Sequence, residues 1–482
     1  MSLIWTDLYK QIPAILVVFP LLVSLVVVIA GNKVFAKCAF ALSNILLFML
    51  SLIAFFHGKT IHYFFGSWNK PVGIEFKLGA LSIVAVGLIY FVSSIFSSFL
   101  FKSFSERLES LILPGRKHIP YALFLLVEAG YAGIILTNDI FNFYVFLEIA
   151  SLASYPLIAI SANNKSLIAA FEYLVIGTVA STIMLVSIGI MLALVGSLNL
   201  MDIEMFFMSH SLDAKFVVVF LLVGALVKVA IFPFHSWKIK SYSFTSNIIA
   251  CFFISISSIA AILILVKFKF LINLISSSFS HYICLVGFVS IIFGSISSYF
   301  EDNYGKLIVY SSISSVGYYL ILWPYESEFK LYLFLQILML DSLVKLAILI
   351  FPLALSRDNL SVRQLIGLAK NNSGVALILI FLLINAACMP PTLGFFNKLS
   401  IIRYFGTQNI LYVPILSLSS LFSTLAYLRI ARQLVKNSDI ENSFKIDRVA
   451  LSAIFLIGGI LLYGIFTSSY IRDLAKIIFE GS

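Results

Sequence analysis

Leu226-Val227-Lys228-Val229-Ala230-Ile231-Phe232-Pro233-Phe234-His235 puts a lysine and a proline inside one apolar run, residues 216–234. A hydrocarbon core of about 30 Å is crossed by about 20 apolar residues in helical form, so the run is long enough to span a membrane. Proline removes a backbone donor and clashes with the preceding turn, so the helix must be disturbed near Pro233. Cys388-Met389-Pro390-Pro391-Thr392-Leu393-Gly394-Phe395-Phe396-Asn397-Lys398 repeats the combination, with two prolines and a glycine opening a helix just before another lysine. Broken helices at corresponding points of two halves point to an ion site in a transporter built from inverted repeats. Freed carbonyls and trapped water lower the cost of charge there. A desolvated lysine can pass between charged and neutral forms, which proton carriage requires.

The surrounding composition demands a membrane. The chain has 482 residues, 61% hydrophobic and 11% charged, with 46 phenylalanines. Soluble domains carry roughly 25% charged residues. These values exclude a nucleic-acid-binding domain, a disordered chain and a secreted disulfide scaffold. Cys38, Cys251, Cys284 and Cys388 are isolated within apolar runs, so neither an iron–sulfur cluster nor a zinc site is expected. There is no Gly-rich phosphate loop. No cofactor and no metal are expected, and no redox or hydrolytic chemistry of the chain's own.

Fourteen runs meet the length test: 12–31, 34–56, 78–101, 119–137, 141–160, 167–195, 216–234, 244–266, 282–300, 307–323, 331–355, 375–405, 410–428 and 449–470. The first is too long for a signal peptide and lacks a small-residue cleavage site, so it reads as a retained helix. Of the 32 basic residues, 18 fall in odd-numbered connections and 11 in the termini and even-numbered ones. The positive-inside rule then makes the odd connections cytoplasmic and leaves both termini outside. The connections are short, so chemistry must lie between helices.

Glu128, Glu148, Lys228, Asp341 and Lys345 fall mid-span, and Lys398 lies within the broken twelfth run. An ionisable group at the bilayer centre costs roughly 2.5–3.5 kcal/mol, so the set implies a penalty of about 15 kcal/mol if exposed to lipid. A polar file through the helix bundle avoids it. Asp341 and Lys345 share a helix face at i, i+4, and a static ion pair and a relay step stand equally. Glu128, beside Gly130 and Gly133, has no evident partner. Glu172 and Lys165 lie near the end of a run and read as snorkelling residues. His235 alone among the histidines joins a helix break to a membrane setting.

These motifs resemble a known family. Asn138-Asp139-Ile140-Phe141-Asn142-Phe143-Tyr144-Val145-Phe146-Leu147-Glu148, followed by Ser154-Tyr155, is similar to the signature of the antiporter-like subunits shared by respiratory complex I (NADH-quinone oxidoreductase) and Mrp-type cation/proton antiporters. The resemblance puts Glu148 on the family's membrane glutamate and Lys228, within the segment from Val227 to Trp237, on its partner lysine. Further segments match at Tyr173, Gly177 and Ala180-Ser181, and at Lys306 with Tyr310-Ser311-Ser312-Ile313-Ser314 and Gly317-Tyr318. Leu343-Val344-Lys345 and Pro390-Pro391 through Lys398 resemble the distal half, where the family ends its proton path. Gly66-Ser67-Trp68 with Pro71-Val72-Gly73-Ile74-Glu75 looks more like the D-type member of Mrp antiporters than a complex I component. The resemblance implies fourteen helices with two inverted five-helix repeats.

The chain also departs from the pattern. Lys238, Ile239, Lys240 and Ser241 replace the usual Leu-Pro-Asp-Ala, Asn138 replaces a glycine, and Ile259 stands where the family has a central relay lysine. An isoleucine carries no proton, so either water with Ser257 or Ser258 bridges the gap, or the path is interrupted.

The expected fold is an all-α polytopic membrane protein of about fourteen transmembrane helices, with broken helices near Pro233 and Pro390. Residues 1–118 would hold helices 1–3, 119–267 and 268–430 the two inverted repeats, and 431–482 a loop and the last helix. The expected function is proton translocation, as one subunit of a multi-subunit cation/proton antiporter in a bacterial inner membrane. Glu148, Lys228, Lys345 and Lys398 would form the proton path, with Asp341 and His235 as further relays. Other membrane subunits, lipid, protons and a monovalent cation are the implied partners; nucleic acid is not. A proton-pumping subunit of NADH-quinone oxidoreductase and a non-conducting structural subunit are the alternatives.

Overall fold

Helix ends follow the polar and glycine punctuation between apolar runs. The structure is a computed structural model and describes residues 9–68, 73–99, 103–209, 215–269, 277–323, 327–355 and 360–436, with scattered positions between 452 and 476. Helix α1 (Ile12–Ala30) ends at Gly31 in the left-handed region, which glycine enters without a Cβ clash. Asn32 then accepts from the amide of Val34 at 2.8 Å and opens α2 (Lys33–His57). After it come two four-residue strands, β1 (Ile61–Phe64) and β2 (Glu75–Leu78), paired antiparallel with Ile61 opposite Leu78. The all-helical expectation missed this hairpin because strands so short show no alternation against an apolar background.

The next elements are α3 (Ala80–Phe99), the short polar α4 (Ser103–Ser110), α5 (Ile119–Leu136), α6 (Ile140–Ala159), α7 (Asn164–Val195) and α8 (Leu200–Ser209). Asp139 caps α6 by accepting from the Asn142 amide at 2.7 Å. The run at 216–234 is not one helix. α9 (Lys215–Val229) stops, Ala230 adopts φ 61°, and α10 (Ser236–Phe244) begins beyond Pro233. Helices α11 (Asn247–Lys267), α12 (Ser277–Phe300), α13 (Tyr304–Leu322) and α14 (Glu328–Ala354) follow. The run at 375–405 is broken in the same way. α15 (Ser373–Ala387) stops, Cys388 adopts φ 54°, and α16 (Leu393–Gln408) starts after Pro390-Pro391. α17 (Tyr412–Val435) closes the described helices; the fourteenth run, 449–470, lies largely outside the described residues.

Among the described residues, ten helices are long and apolar enough to cross a membrane, and α9 and α15 are shorter apolar helices. The protein is a nearly all-helical, multi-pass membrane protein. Two compact units divide it. One contains α1–α3, α5–α9 and the C-terminal part of α11; the other contains α10, the N-terminal part of α11, and α13–α17 with most of α12. In the second unit, α12 and α13 approach closely at small residues. A Cβ on Gly317 would lie 2.6 Å from the Gly287 carbonyl oxygen, and one on Gly294 2.5 Å from the Ser314 nitrogen. Such contacts let membrane helices gain packing energy where no hydrophobic drive exists between them.

Candidate functional site

In the first unit, the cap at Asp139 sets the start of α6, and Glu148 follows two and a half turns in. Lys228 lies in the last turn of α9, where the negative end of the helix dipole favours a cation. Lys228 Nζ stands 3.4 Å from Glu148 Oε1 and donates to Ser151 Oγ at 3.0 Å. Ser181 Oγ of α7 donates to Glu148 Oε1. Their side chains are 6% and 18% exposed for Lys228 and Glu148, so water barely screens the pair. A distance of 3.4 Å is longer than a strong charge-assisted bond; hydroxyls, rather than a locked ion pair, hold each partner. Tyr155 Oη is buried beside them, close to Ser151 but without a hydrogen bond of good geometry. Gly177 makes that approach possible: a Cβ there would lie 2.4 Å from Tyr155 Oη and 3.6 Å from Lys228 Nζ.

The second unit holds another acid–lysine pair. Lys345 Nζ lies 2.5 Å from Asp341 Oδ2, one turn away on α14. Ser315 Oγ of α13 lies 2.7 Å from Asp341 Oδ1, and Lys345 Nζ donates to the same hydroxyl at 2.9 Å. Tyr319 donates to Asp341 Oδ2 at 3.4 Å. A cavity of about 100 Å³ is lined by Asp341, Lys345, Ser315, Tyr318, Asn397 and Lys398 among others, room for a few waters. Lys398 Nζ donates to Ser423 Oγ at 3.0 Å and lies 5.8 Å from the Tyr318 ring centroid. Lys345 and Lys398, 53 positions apart in sequence, therefore face one polar cavity.

The structure thus brings Glu148 to Lys228, and Asp341 and Lys345 to Lys398. His235 stands apart from these groups. Its ring lies 4.3 Å from Phe293 and stacks on Phe232 at 5.4 Å, and its buried Nδ1 has no partner. Ile259 is fully buried. Lys238, which sequence reasoning recorded only as a departure, is 2% exposed. Its Nζ lies 6.0 Å from the Tyr242 ring centroid and within electrostatic range of Lys345 and Asp341. A lysine replacing an apolar residue directly after the helix break was the signal available for it. Among the described residues, no group of three or more His, Cys, Asp or Glu is arranged to hold a metal.

Residues 137–425 match the family model described as NADH:quinone oxidoreductase/Mrp antiporter, TM. NADH-quinone oxidoreductase subunit N of Desulforudis audaxviator is 27% identical over 447 residues, covering 87% of this chain and 85% of that protein. The D-type component of the Na(+)/H(+) antiporter of Alkalihalophilus pseudofirmus is 25% identical over 416 residues, covering 83% and 82%. A chain of the Mrp complex from Dietzia sp. DQ12-45-1b superposes with a TM-score of 0.85 at 19% identity, covering 98% of this chain and 97% of that one.

Proposed function

Because the chain belongs to the NADH:quinone oxidoreductase/Mrp antiporter transmembrane family, we propose that it is the proton-translocating, antiporter-like subunit of a multi-subunit cation/proton antiporter. The observation that carries this reading is the Glu148–Lys228 pair, buried at a helix break and held by Ser181 and Ser151. When the glutamate is near, it stabilises protonated lysine; when it withdraws, the buried lysine favours the neutral form and releases its proton. In the second unit, Asp341 and Lys345 act the same way, and Lys398 exchanges protons with the shared cavity. Lys238 adds a further protonatable group beside them, supplying what Ile259 lacks.

The test is proton flux in vesicles reconstituted with the assembled complex. Lys228→Ala and Glu148→Gln each lower flux at least about tenfold, the loss of roughly one pKa unit's worth of coupling. Undiminished flux in both variants rejects this mechanism. The subunit N relative supports a second reading, a membrane subunit of an NADH-quinone oxidoreductase. Partners co-purified from the membrane separate the two: small hydrophobic subunits alone, or a peripheral arm with flavin and iron–sulfur centres. A non-conducting structural subunit, suggested by Ile259, predicts instead that Lys228→Ala leaves flux intact while deletion of the chain prevents assembly.

The fourteen-span topology with inverted repeats belongs to the same proposal, and two recurrences support it. Asp139 caps α6 and its neighbours Asn138 and Ile140 exchange backbone bonds with Leu200 and Leu198. Asn303 caps α13, and Asp302 and Tyr304 bond to Val362 and Leu360 in the same pattern. Ala230 and Cys388 then provide matching left-handed residues at the two breaks.

A further inference from the structure

Glu128 takes no part in the proposed path, yet its burial is complete. It lies on α5 in the first unit, against α2 and α3. Asn44 Nδ2 of α2 donates to Glu128 Oε1 at 3.4 Å. Ser93 of α3 lies beside the same carboxyl. Tyr90, the other polar neighbour, commits its hydroxyl to the Leu16 carbonyl oxygen at 2.5 Å. No lysine, arginine or histidine among the described residues pairs with this carboxyl. Glu128 Oε2, Asn44 Oδ1 and Ser93 Oγ are therefore buried and complete no hydrogen bond of good geometry, the Ser93 hydroxyl lying close to the carboxyl but not aligned with it.

A lone carboxylate inside the hydrocarbon region is among the most expensive groups a membrane protein can hold. Buried polar atoms are almost always partnered, so three orphans around one carboxyl require a common explanation. What they share is chemistry: all are oxygens with a lone pair to offer, Ser93 Oγ being a donor as well, and with the carboxyl ionised they carry one negative charge. A hard cation of single charge satisfies each of them, as oxygen shells do for hard metal ions generally. We propose that Glu128, Asn44 and Ser93 form an internal site that binds one exchangeable monovalent cation, a proton or a sodium-sized alkali ion. The site is separate from the Glu148–Lys228 and Asp341–Lys345 pairs and does not depend on their role.

The test is infrared difference spectroscopy on the full-length protein in lipid nanodiscs, reading the protonated-carboxyl stretch from about pH 6 to about pH 10, in sodium chloride or choline chloride. The wild type shows a band that Glu128→Gln removes. With a proton as occupant, the band fades as pH rises, equally in both salts. With sodium as competing occupant, it fades at constant pH when sodium replaces choline. Ser93→Ala removes one oxygen and moves the midpoint of that fading about tenfold in cation concentration, the value of a hydrogen bond to a charged group; this variant keeps the carboxyl and serves if Glu128→Gln does not fold. Identical spectra for wild type and Glu128→Gln, or a band that neither pH nor sodium moves, overturns the proposal. None of these readouts involves transport, so failure here leaves the proton-path reading untouched.

Discussion

The Lys238 side chain makes no hydrogen bond or ion pair to another described residue, yet it is buried and within electrostatic range of Asp341 and Lys345. A buried, unpaired lysine is destabilising unless it serves something, because its charged form has lost water without gaining an anion. Lys238→Leu separates stability from function. Removing the buried amine raises the melting temperature of the purified protein, while vesicle proton flux falls at least about tenfold if this lysine carries protons, one decade being about 1.4 kcal/mol of coupling. A variant that is stabilised and conducts normally assigns Lys238 no part in the path. Glu148 and Lys228 were legible from residue type and motif. Tyr155, Gly177 and Ser181 stood out as motif positions, but their contacts and the part played by Ser151 did not, since serine and glycine are common in membrane helices and only packing shows which ones touch a charge.

At the scale of elements, caps and short polar helices hold the framework. Asp139→Ala removes the acceptor for the first turn of α6 and lowers stability by about 1 kcal/mol. Asn303→Ala does the same for α13, and thermal unfolding of each variant in detergent checks both. Near α4, Glu109 is paired with Lys33 at 2.9 Å and Lys37 at 2.6 Å. Burial pushes its carboxyl up, but hydrogen bonds and charge from Lys37 and Lys33 outweigh it and hold the group below its ordinary value. A lowered folded-state value means the stabilisation is complete above the ordinary carboxylate value of 4.5 and is lost as pH falls through the lowered one. Wild type is therefore more stable than Glu109→Gln near neutral pH, and the gap in melting temperature closes as the solution is acidified below that value. A gap that stays constant with pH removes the ion pairs as its cause.

For the whole molecule, contacts between connections report topology. In the first unit, Glu75 accepts from Asn138 at 2.9 Å and Asn199 at 3.3 Å, and Lys267 donates to the Thr137 carbonyl. These residues lie in or beside even-numbered connections. Lys33 and Glu109 join odd-numbered ones, and in the second unit Asp302 meets Arg363 and Arg429, again all odd. Contacts between connections of one parity are what the proposed topology requires, since two crossings return the chain to the same side of the bilayer. The expected outcome in intact cells, on a background lacking the four native cysteines, is that a membrane-impermeant maleimide labels Lys59→Cys and leaves Glu106→Cys unlabelled until the membrane is opened. The reverse pattern inverts the proposed orientation.

The sequence by itself determined the membrane class, the succession of apolar runs, the two helix breaks and the charges beside them. Those follow from transfer free energy and backbone chemistry, which act locally and leave their mark in composition and spacing. The hairpin of β1 and β2, the cavity shared by Lys345 and Lys398, the packing of His235 against Phe232 and Phe293 and the orphan oxygens around Glu128 appeared only in the tertiary structure. Each depends on which residues from distant helices meet, and in a chain that is 61% hydrophobic one apolar face looks much like another until it is packed.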